Sequence, residues 1–495
     1  MTTVALSLVS HTNVGKTTLA RTLLGRDIGE VRDEAHVTQQ AEPYALVETP
    51  QGDRLDLWDT PGFGDSVRLA RRLEQAGNPI GWFLSEVWDR VRDRAFWSSQ
   101  RALRHVLERA DVVLYLVNAS ESPEAVPYLD AELRVLSLIG KPVIVLLNQL
   151  GPPRVALEEA AELQRWHDRV AGAPCVRALL PLDAFARCWV QEGALLHAVA
   201  GLLPGELAVA YERLHAAWQA RRVEVWRQSM ALLTARLARA ALDLQEVRDA
   251  GWSGKLREMG AAFGLRHDAT LPPRQQAMQD LAQRLDNDIR ASTEQLIRLH
   301  GLDGRAAELV LTRLAEHYAV TEPVSEGKAA VWGAAVTGAL AGLKADIATG
   351  GLTLGGGLLA GGVLGALGAL GLAKGYNALQ GTEKPTVVWS DGVLDGLLES
   401  SLLGYLAVVH FGRGRGEWAE SEHPAHWVDV VRQVVAARRP ALAGLWARRR
   451  VLQTDSVGRE AFASVLNALL LEISEDLLGR LYPKAPRFAV TPPAV

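Results

Sequence analysis

Residues Ser10-His-Thr-Asn-Val-Gly-Lys-Thr-Thr18 follow an apolar run, Val4 to Val9, and lead into a helix-patterned stretch, Thr17 to Leu24, closed by Gly25. A buried strand, a glycine-containing loop and a helix in that order make a phosphate-binding loop, which commits the surrounding chain to an α/β sheet. The chemistry explains the residue types. Gly15 lets backbone N–H groups approach phosphate oxygens, Lys16 reaches the β and γ phosphates, and Thr17 offers a hydroxyl to Mg²⁺. Ser10 departs from the usual pattern, which begins with glycine at that position. The candidate nucleotide contacts are Ser10, His11, Thr12, Asn13, Val14, Gly15, Lys16, Thr17 and Thr18.

A second motif, Asp59-Thr60-Pro61-Gly62, comes directly after an alternating strand, Arg54 to Trp58, and the hairpin-like Pro50-Gln-Gly-Asp53. An aspartate there can hold Mg²⁺ through water, and the Gly62 N–H can sense a γ phosphate. Thr38, in His36-Val-Thr-Gln-Gln40, lies where a switch threonine would complete the Mg²⁺ shell; an ordinary loop threonine is the alternative. The expected catalytic set is Lys16, Thr38 and Gly62, with Thr17, Thr38 and Asp59 as the metal ligands.

With these motifs the first 150 or so residues resemble the Era-like and TrmE-like GTPases, whose loop is G-x-P-N-V-G-K-S and whose second motif is D-T-P-G. The resemblance implies GTP and GDP as ligands, Mg²⁺ as cofactor, and a K⁺ ion coordinated by Asn13 at the phosphates. Phe63 stands where Ras-like enzymes carry a water-orienting glutamine. A phenyl ring cannot do this by hydrogen bonding, so slow intrinsic hydrolysis is implied, accelerated by K⁺, by dimerisation through the GTPase domain or by a protein effector. The base-recognition pattern N-K-x-D is altered here to Asn148-Gln149-Leu150-Gly151. The missing aspartate removes two charge-assisted bonds to guanine, each worth roughly 1 to 3 kcal/mol. Asp183 and Ala184 occupy the place of the loop that touches the base. Three segments together resemble an uncharacterised bacterial group, an Era-like GTPase domain fused to a long C-terminal domain: Asn148-Gln149-x-Gly151, Leu182 to Trp189, and His410-Phe-Gly-Arg-Gly-Arg-Gly416.

The chain has 495 residues and a net charge of −4, which argues for several domains and against nucleic acid as a partner. Two cysteines, Cys175 and Cys188, fit a reducing compartment. With a strand starting almost at Met1, no signal peptide is expected before the loop. The expected location is the cytoplasm or the cytoplasmic face of the inner membrane.

The expected fold is an α/β P-loop domain, a mostly parallel sheet with flanking helices, over 1–203. It carries an insertion at 64–110 in which Trp82, Phe83, Trp88, Phe96 and Trp97 recur at roughly helical spacing. That insertion reads either as a helix packed on the core or as an effector surface. A helical bundle or stalk follows over 204–326, with one helix expected from Glu206 to Ala250 and others over Arg274–His300 and Arg305–Tyr318; Trp218 and Trp226 read as core. A glycine-rich apolar hairpin is expected over 327–381. Its stretch Ile347–Ala373 lacks charge and contains ten glycines, and Ala329–Leu343 forms the other arm. Its length suffices for a bilayer about 30 Å thick, while its glycines weaken helix and insertion alike. Membrane association through 329–373, a buried glycine zipper and a flexible linker all remain open. A small α+β part over 382–495 completes the chain, with strands at Thr386–Trp389 and Tyr405–Phe411 and helices at Trp427–Ala437 and Arg459–Leu481. Gly412–Gly416 reads as a solvated turn or a phosphate or lipid headgroup loop. Glu420, Glu422, His423 and His426 show no metal spacing.

These features lead to a Mg²⁺-GTP switch that couples nucleotide state to a helical, membrane-associating region. The alternatives are a nucleotide-binding membrane scaffold with negligible turnover and an Era-like GTPase of RNA or ribosome maturation.

Overall fold

Continuous apolar runs alternate with amphipathic segments through the first two hundred residues, and the computed structural model resolves them into strands and covering helices. It describes residues 1–25, 42–75, 81, 94–150, 156–182, 188–247, 273–302, 372–376, 385–410, 424–452, 456–483 and 485–486. The chain divides into two compact units. The first comprises Met1–Glu224, Val409–His423 and Tyr482–Val495, and the second Val225–Val408 and Pro424–Leu481.

The first unit runs β1 (Thr3–Ser10), α1 (Lys16–Leu24), β2 (Glu42–Glu48), β3 (Arg54–Asp59), α2 (Ser66–Gln75), α3 (Arg94–Arg109), β4 (Val112–Asn118), α4 (Leu129–Ile139), β5 (Val143–Asn148), α5 (Ala156–Val170), β6 (Val176–Pro181), α6 (Trp189–Ala200) and the first part of α7 (Gly205–Leu242). Its six strands lie in the order β2-β3-β1-β4-β5-β6. All neighbours are parallel except β2 and β3. Strands buried on both faces carry unbroken apolar runs, and Val112–Val117 and Val143–Leu147 are buried throughout. Leu129, Leu133 and Leu136 of α4 and Trp166 of α5 close the core over β4 and β5. β1 is flanked by β3 on one side and β4 on the other, so the strand order reverses there, and a crevice opens beyond the carboxyl ends of the strands. The phosphate loop emerges from the end of β1 into that crevice.

A polar contact is buried beneath the sheet. Ser7 Oγ and His105 Nε2 are 3.0 Å apart, and burial pushes the His105 imidazole down to about 4, so the ring is neutral at physiological pH. On the other side, α6 and α7 are joined by Arg222–Glu192 at 2.9 Å and by Tyr211 OH donating to Leu196 O at 2.8 Å. Trp218 fills the space over Gly193, where an added Cβ would lie 3.4 Å from the indole.

The second unit takes the rest of α7, then β7 (Leu244–Glu246), α8 (Pro273–Leu299), β8 (Leu372–Tyr376), β9 (Pro385–Trp389), α9 (Asp391–Val409), α10 (Pro424–Ala437), α11 (Arg439–Leu452) and α12 (Ser456–Leu481). The last residue of α9, Val409, is grouped with the first unit. The strands form an antiparallel sheet in the order β7-β9-β8. Trp226 is fully buried and donates from Nε1 to Ser474 Oγ at 3.1 Å, and Arg236 reaches Ser292 Oγ at 2.9 Å and Ser401 Oγ. Trp218 and Trp226 are therefore core, as their spacing predicts.

Three expectations are corrected. The helix expected from Glu206 to Ala250 stops at Leu242. Asp243 is held by the Arg284 guanidinium, and Leu244 to Glu246 pair with β9, so sheet pairing overrides a stretch with no glycine or proline to break it. The strand expected at Tyr405–Phe411 is helical as far as Val409. Leu394, Leu398, Leu402, Tyr405 and Val409 recur at helical spacing, all within the core, and this tertiary stripe outweighs the β propensity of the local residues. The glycine-rich stretch loses its last two residues to β8, where Leu372 and Ala373 pair with Trp389 and Val388. The rest of that hairpin, Arg305–Tyr318, Gly412–Gly416 and residues 76–80 and 82–93 of the insertion, with Trp82, Phe83 and Trp88, lie outside the described residues, while the two ends of the insertion form α2 and α3. By length and composition α9 is apolar enough to cross a membrane, yet 56% of that stretch is buried inside the protein.

Candidate functional site

The loop owes its shape to residues able to leave the ordinary backbone regions. Gly15 caps α1 with φ +94°, and Asn13 adopts φ +64° on the exposed tip; asparagine is among the few side chains that tolerate this region. Three contacts tie the loop down. Phe63 N donates to Ser10 O at 2.9 Å and Leu19 N to Gly15 O at 3.0 Å. The fully buried Asn148 donates from Nδ2 to Val14 O at 2.7 Å. The first turn of α1 has no acidic side chain, so its exposed N–H groups and positive dipole end face a site suited to an anion.

Lys16 is buried, with Nζ donating to Ser10 Oγ at 3.0 Å. Desolvation lowers its pKa, while the charges of Asp59 and Glu132 act in the opposite direction. Thr17 Oγ1 donates to Asp59 Oδ2 at 2.6 Å. This juxtaposes a hydroxyl and a carboxylate, the hard oxygen pair that Mg²⁺ prefers. Thr60 Oγ1 anchors the second motif to Leu8 O at 2.6 Å. Gly62 comes so close that an added Cβ would lie 3.1 Å from Lys16 Nζ and 3.1 Å from Thr12 Cα. These residues fit a Mg²⁺-bound nucleoside phosphate: a glycine-lined cradle, a buried cation and two oxygen donors.

Of the residues singled out in the sequence, Ser10 to Thr18, Asp59, Gly62 and Asn148 thus converge on one crevice. Gln149 joins them with φ +59°, its Nε2 3.9 Å from where a Gly15 Cβ would sit. Thr38, Asp183 and Ala184 lie outside the described residues. Phe63 is fully buried, and its ring is unavailable to any water in the crevice. Among the described residues no group of three or more His, Cys, Asp or Glu side chains could hold a metal.

Two features escaped the sequence reading. Ser10 places a hydroxyl beside Lys16, and Glu132, fully buried on α4, bonds His11 of the loop at 2.7 Å. A signal for the second existed, since Glu132 falls on the apolar stripe of Leu129, Leu133 and Leu136, a place where an unpaired carboxylate would be costly.

The Ser10 contact carries a prediction. The Ser10 hydroxyl accepts one hydrogen bond from the buried ammonium, so a phosphate oxygen would compete with it for that donor. Ser10→Gly is expected to raise triphosphate affinity several-fold, up to about tenfold, the order of one hydrogen bond to a charged group. Titration with a fluorescent GTP analogue measures this, and lower affinity would mean that the hydroxyl itself binds phosphate.

Residues 5–149 match the family model described as 50S ribosome-binding GTPase, and residues 174–464 match the one described as Domain of unknown function (DUF3482). The chain is 26% identical over 233 residues to GTPase Der of Parvibaculum lavamentivorans, covering 45% of this chain and 39% of that protein. It therefore spans about two fifths of the length of that curated relative. Among solved structures, a point variant of Aquifex aeolicus Era bound to GDP.AlF4- matches with 20% identity and a TM-score of 0.31, over 41% of this chain and 58% of that one. Era in complex with MgGDPNP and nucleotides 1506–1542 of 16S ribosomal RNA matches with the same values.

Proposed function

Since the chain belongs to the DUF3482 family and carries ahead of that region a domain that matches the 50S ribosome-binding GTPase model and is similar to GTPase Der, we propose that it is a Mg²⁺-dependent, GTP-binding GTPase switch, stimulated by K⁺. The observation that carries this reading is the Thr17–Asp59 contact beside the buried Lys16, with Gly62 packed against both the ammonium and the loop.

In the proposed mechanism the loop N–H groups and the amino end of α1 bind the β and γ phosphates. Lys16 neutralises charge developing on the transferred phosphoryl, and Gly62 N–H senses its presence. Thr17, Thr38 and Asp59 would hold Mg²⁺, which would supply positive charge to offset that of the phosphates. Asn13, exposed at the loop tip, offers an amide oxygen for K⁺. Water attacks the γ phosphorus as the bond to the β-phosphate oxygen breaks, giving GDP and inorganic phosphate with the water's proton passing to phosphate, and the enclosed Phe63 ring beside Gly62 cannot orient that water or take its proton.

For the proposed coupling, support comes from the turn after β2. There Asp53 accepts from Thr2 N at 3.0 Å and from Arg213 of α7, with Arg213 Nη2 2.6 Å away, and the guanidinium holds the Asp53 carboxyl below its ordinary range. Asp53 directly precedes β3 and Asp59 ends it, so a shift of Asp59 on nucleotide exchange would pull on α7. We place the protein in the cytoplasm, with 329–373 as its contact to the inner membrane, a homodimer formed through the GTPase domain, and a protein effector.

Nucleotide binding and turnover of the full chain, with GTP and ATP compared in K⁺ and Na⁺ buffers containing Mg²⁺, test the reading. GTP preference with K⁺ stimulation is expected. Equal use of ATP would mean that the Asn148–Gly151 sequence has lost guanine selectivity. Binding without turnover would favour the scaffold, a reading that the enclosure of Phe63 also supports.

A further inference from the structure

Glu132 is fully buried in the first turn of α4, between two donors. Tyr115 OH donates to Oε2 at 2.7 Å, and His11 Nδ1 stands 2.7 Å from Oε1. A buried carboxylate must have its oxygens satisfied, which fixes the proton of His11 on Nδ1. The imidazole also stacks on Tyr128, with ring centres 4.1 Å apart and planes 10° from parallel. His11 is thereby held from two sides. Its main chain in turn bridges to Phe63 in parallel fashion, next to the Phe63 N to Ser10 O bond. A continuous series of contacts, Tyr115–Glu132–His11–Phe63, thus links β4 to the residue that follows Gly62.

Stability alone is a weak reason for this arrangement. Replacing both partners of a buried hydrogen bond with apolar groups of the same shape can be nearly neutral or stabilising, whereas such polar pairs can fix one geometry among several. Glu132 also bears on Lys16, being one of the two carboxylates that favour its charged form.

We propose that Glu132 is a positioning residue for the phosphate loop: by gripping His11 it sets the register between the loop and the Gly62–Phe63 segment that meets the γ phosphate. The proposal rests on the reading above that the loop binds a nucleoside triphosphate. It implies that losing the grip damages recognition and hydrolysis of the triphosphate while leaving the diphosphate, which does not reach Gly62, nearly as tightly bound.

The test uses the full chain, GDP and a non-hydrolysable GTP analogue as binding probes, and single-turnover GTP hydrolysis. His11→Ala is expected to lower the ratio of analogue to GDP affinity about tenfold, the size of one charge-assisted hydrogen bond, and to slow turnover at least as much. His11→Asn puts an N–H donor where Nδ1 sits and should keep most of the ratio. His11→Gln puts its donor at the Nε2 position and should behave like alanine. In a double-mutant cycle, Glu132→Ala and His11→Ala should be strongly non-additive. If Glu132→Ala fails to fold, the His11 series decides alone.

An unchanged ratio in His11→Ala, equal loss of GDP and analogue binding, Asn and Gln behaving alike, or additivity in the cycle would overturn the proposal. If the wild type discriminates between the probes and His11→Ala does too, only the positioning role falls. If the wild type binds neither probe, the nucleotide reading falls with it.

Discussion

Lys16→Ala is expected to reduce triphosphate affinity by at least about a hundredfold, since two charge-assisted bonds to phosphate at about 1.5 to 3 kcal/mol each are lost. The surroundings of Lys16 enlarge the effect. Burial works against its charge and the carboxylates of Asp59 and Glu132 work for it, so truncation removes the cation both acids share. Diphosphate binding should fall less, because one of the two phosphates is absent. Calorimetric titration with GDP and a GTP analogue measures both losses, and unchanged affinity would refute the assignment of the loop.

Gly15→Ala should be nearly as damaging, for a different reason. Its φ of +94° is unfavourable to any side chain, by about 1 to 2 kcal/mol, and the new methyl would stand 2.8 Å from Asn148 Nδ2. Asn148 must then withdraw from Val14 O, leaving buried polar groups unpaired at about 1 to 3 kcal/mol, or the loop must shift away from the phosphates. Both routes lead to a loss of nucleotide binding of more than about tenfold and a lower melting temperature without ligand. Gly25→Ala is the control. Gly25 also has positive φ, +65°, but nothing lies within 4 Å of its added Cβ, so strain acts there without collision. Equal losses in the two variants would mean that the Asn148 contact is unimportant.

Much of the first unit was legible because its signals are local. The strand before Ser10, the loop and the strand before Asp59 announce themselves within a few residues, and their convergence follows from the reversal of strand order at β1. Pairings distant in sequence were not legible. Glu132 meets His11 across 121 residues and Arg213 meets Asp53 across 160, so neither pairing leaves a spacing to recognise. In the second unit, local propensity misled wherever packing outvoted it, at Tyr405–Val409 and at the end of α7. There the deciding partners, the core face of α9 and strand β9, are set by tertiary structure alone. The altered Asn148–Gly151 motif was visible in the sequence; that Asn148 braces the loop through Val14 O emerged only from the fold.

The first unit is discontinuous along the chain. Val409–His423 and Tyr482–Val495 cluster with Met1–Glu224, and His410 stacks on Tyr482, with ring centres 5.8 Å apart and planes 22° from parallel. During synthesis, therefore, His410 and Tyr482 join the first unit long after its own sheet has left the ribosome. The sheet, α6 and the start of α7 are made before the second unit is translated. The His410–Tyr482 stack can form only once the second unit has been translated, so this corner of the first unit is the last to be made.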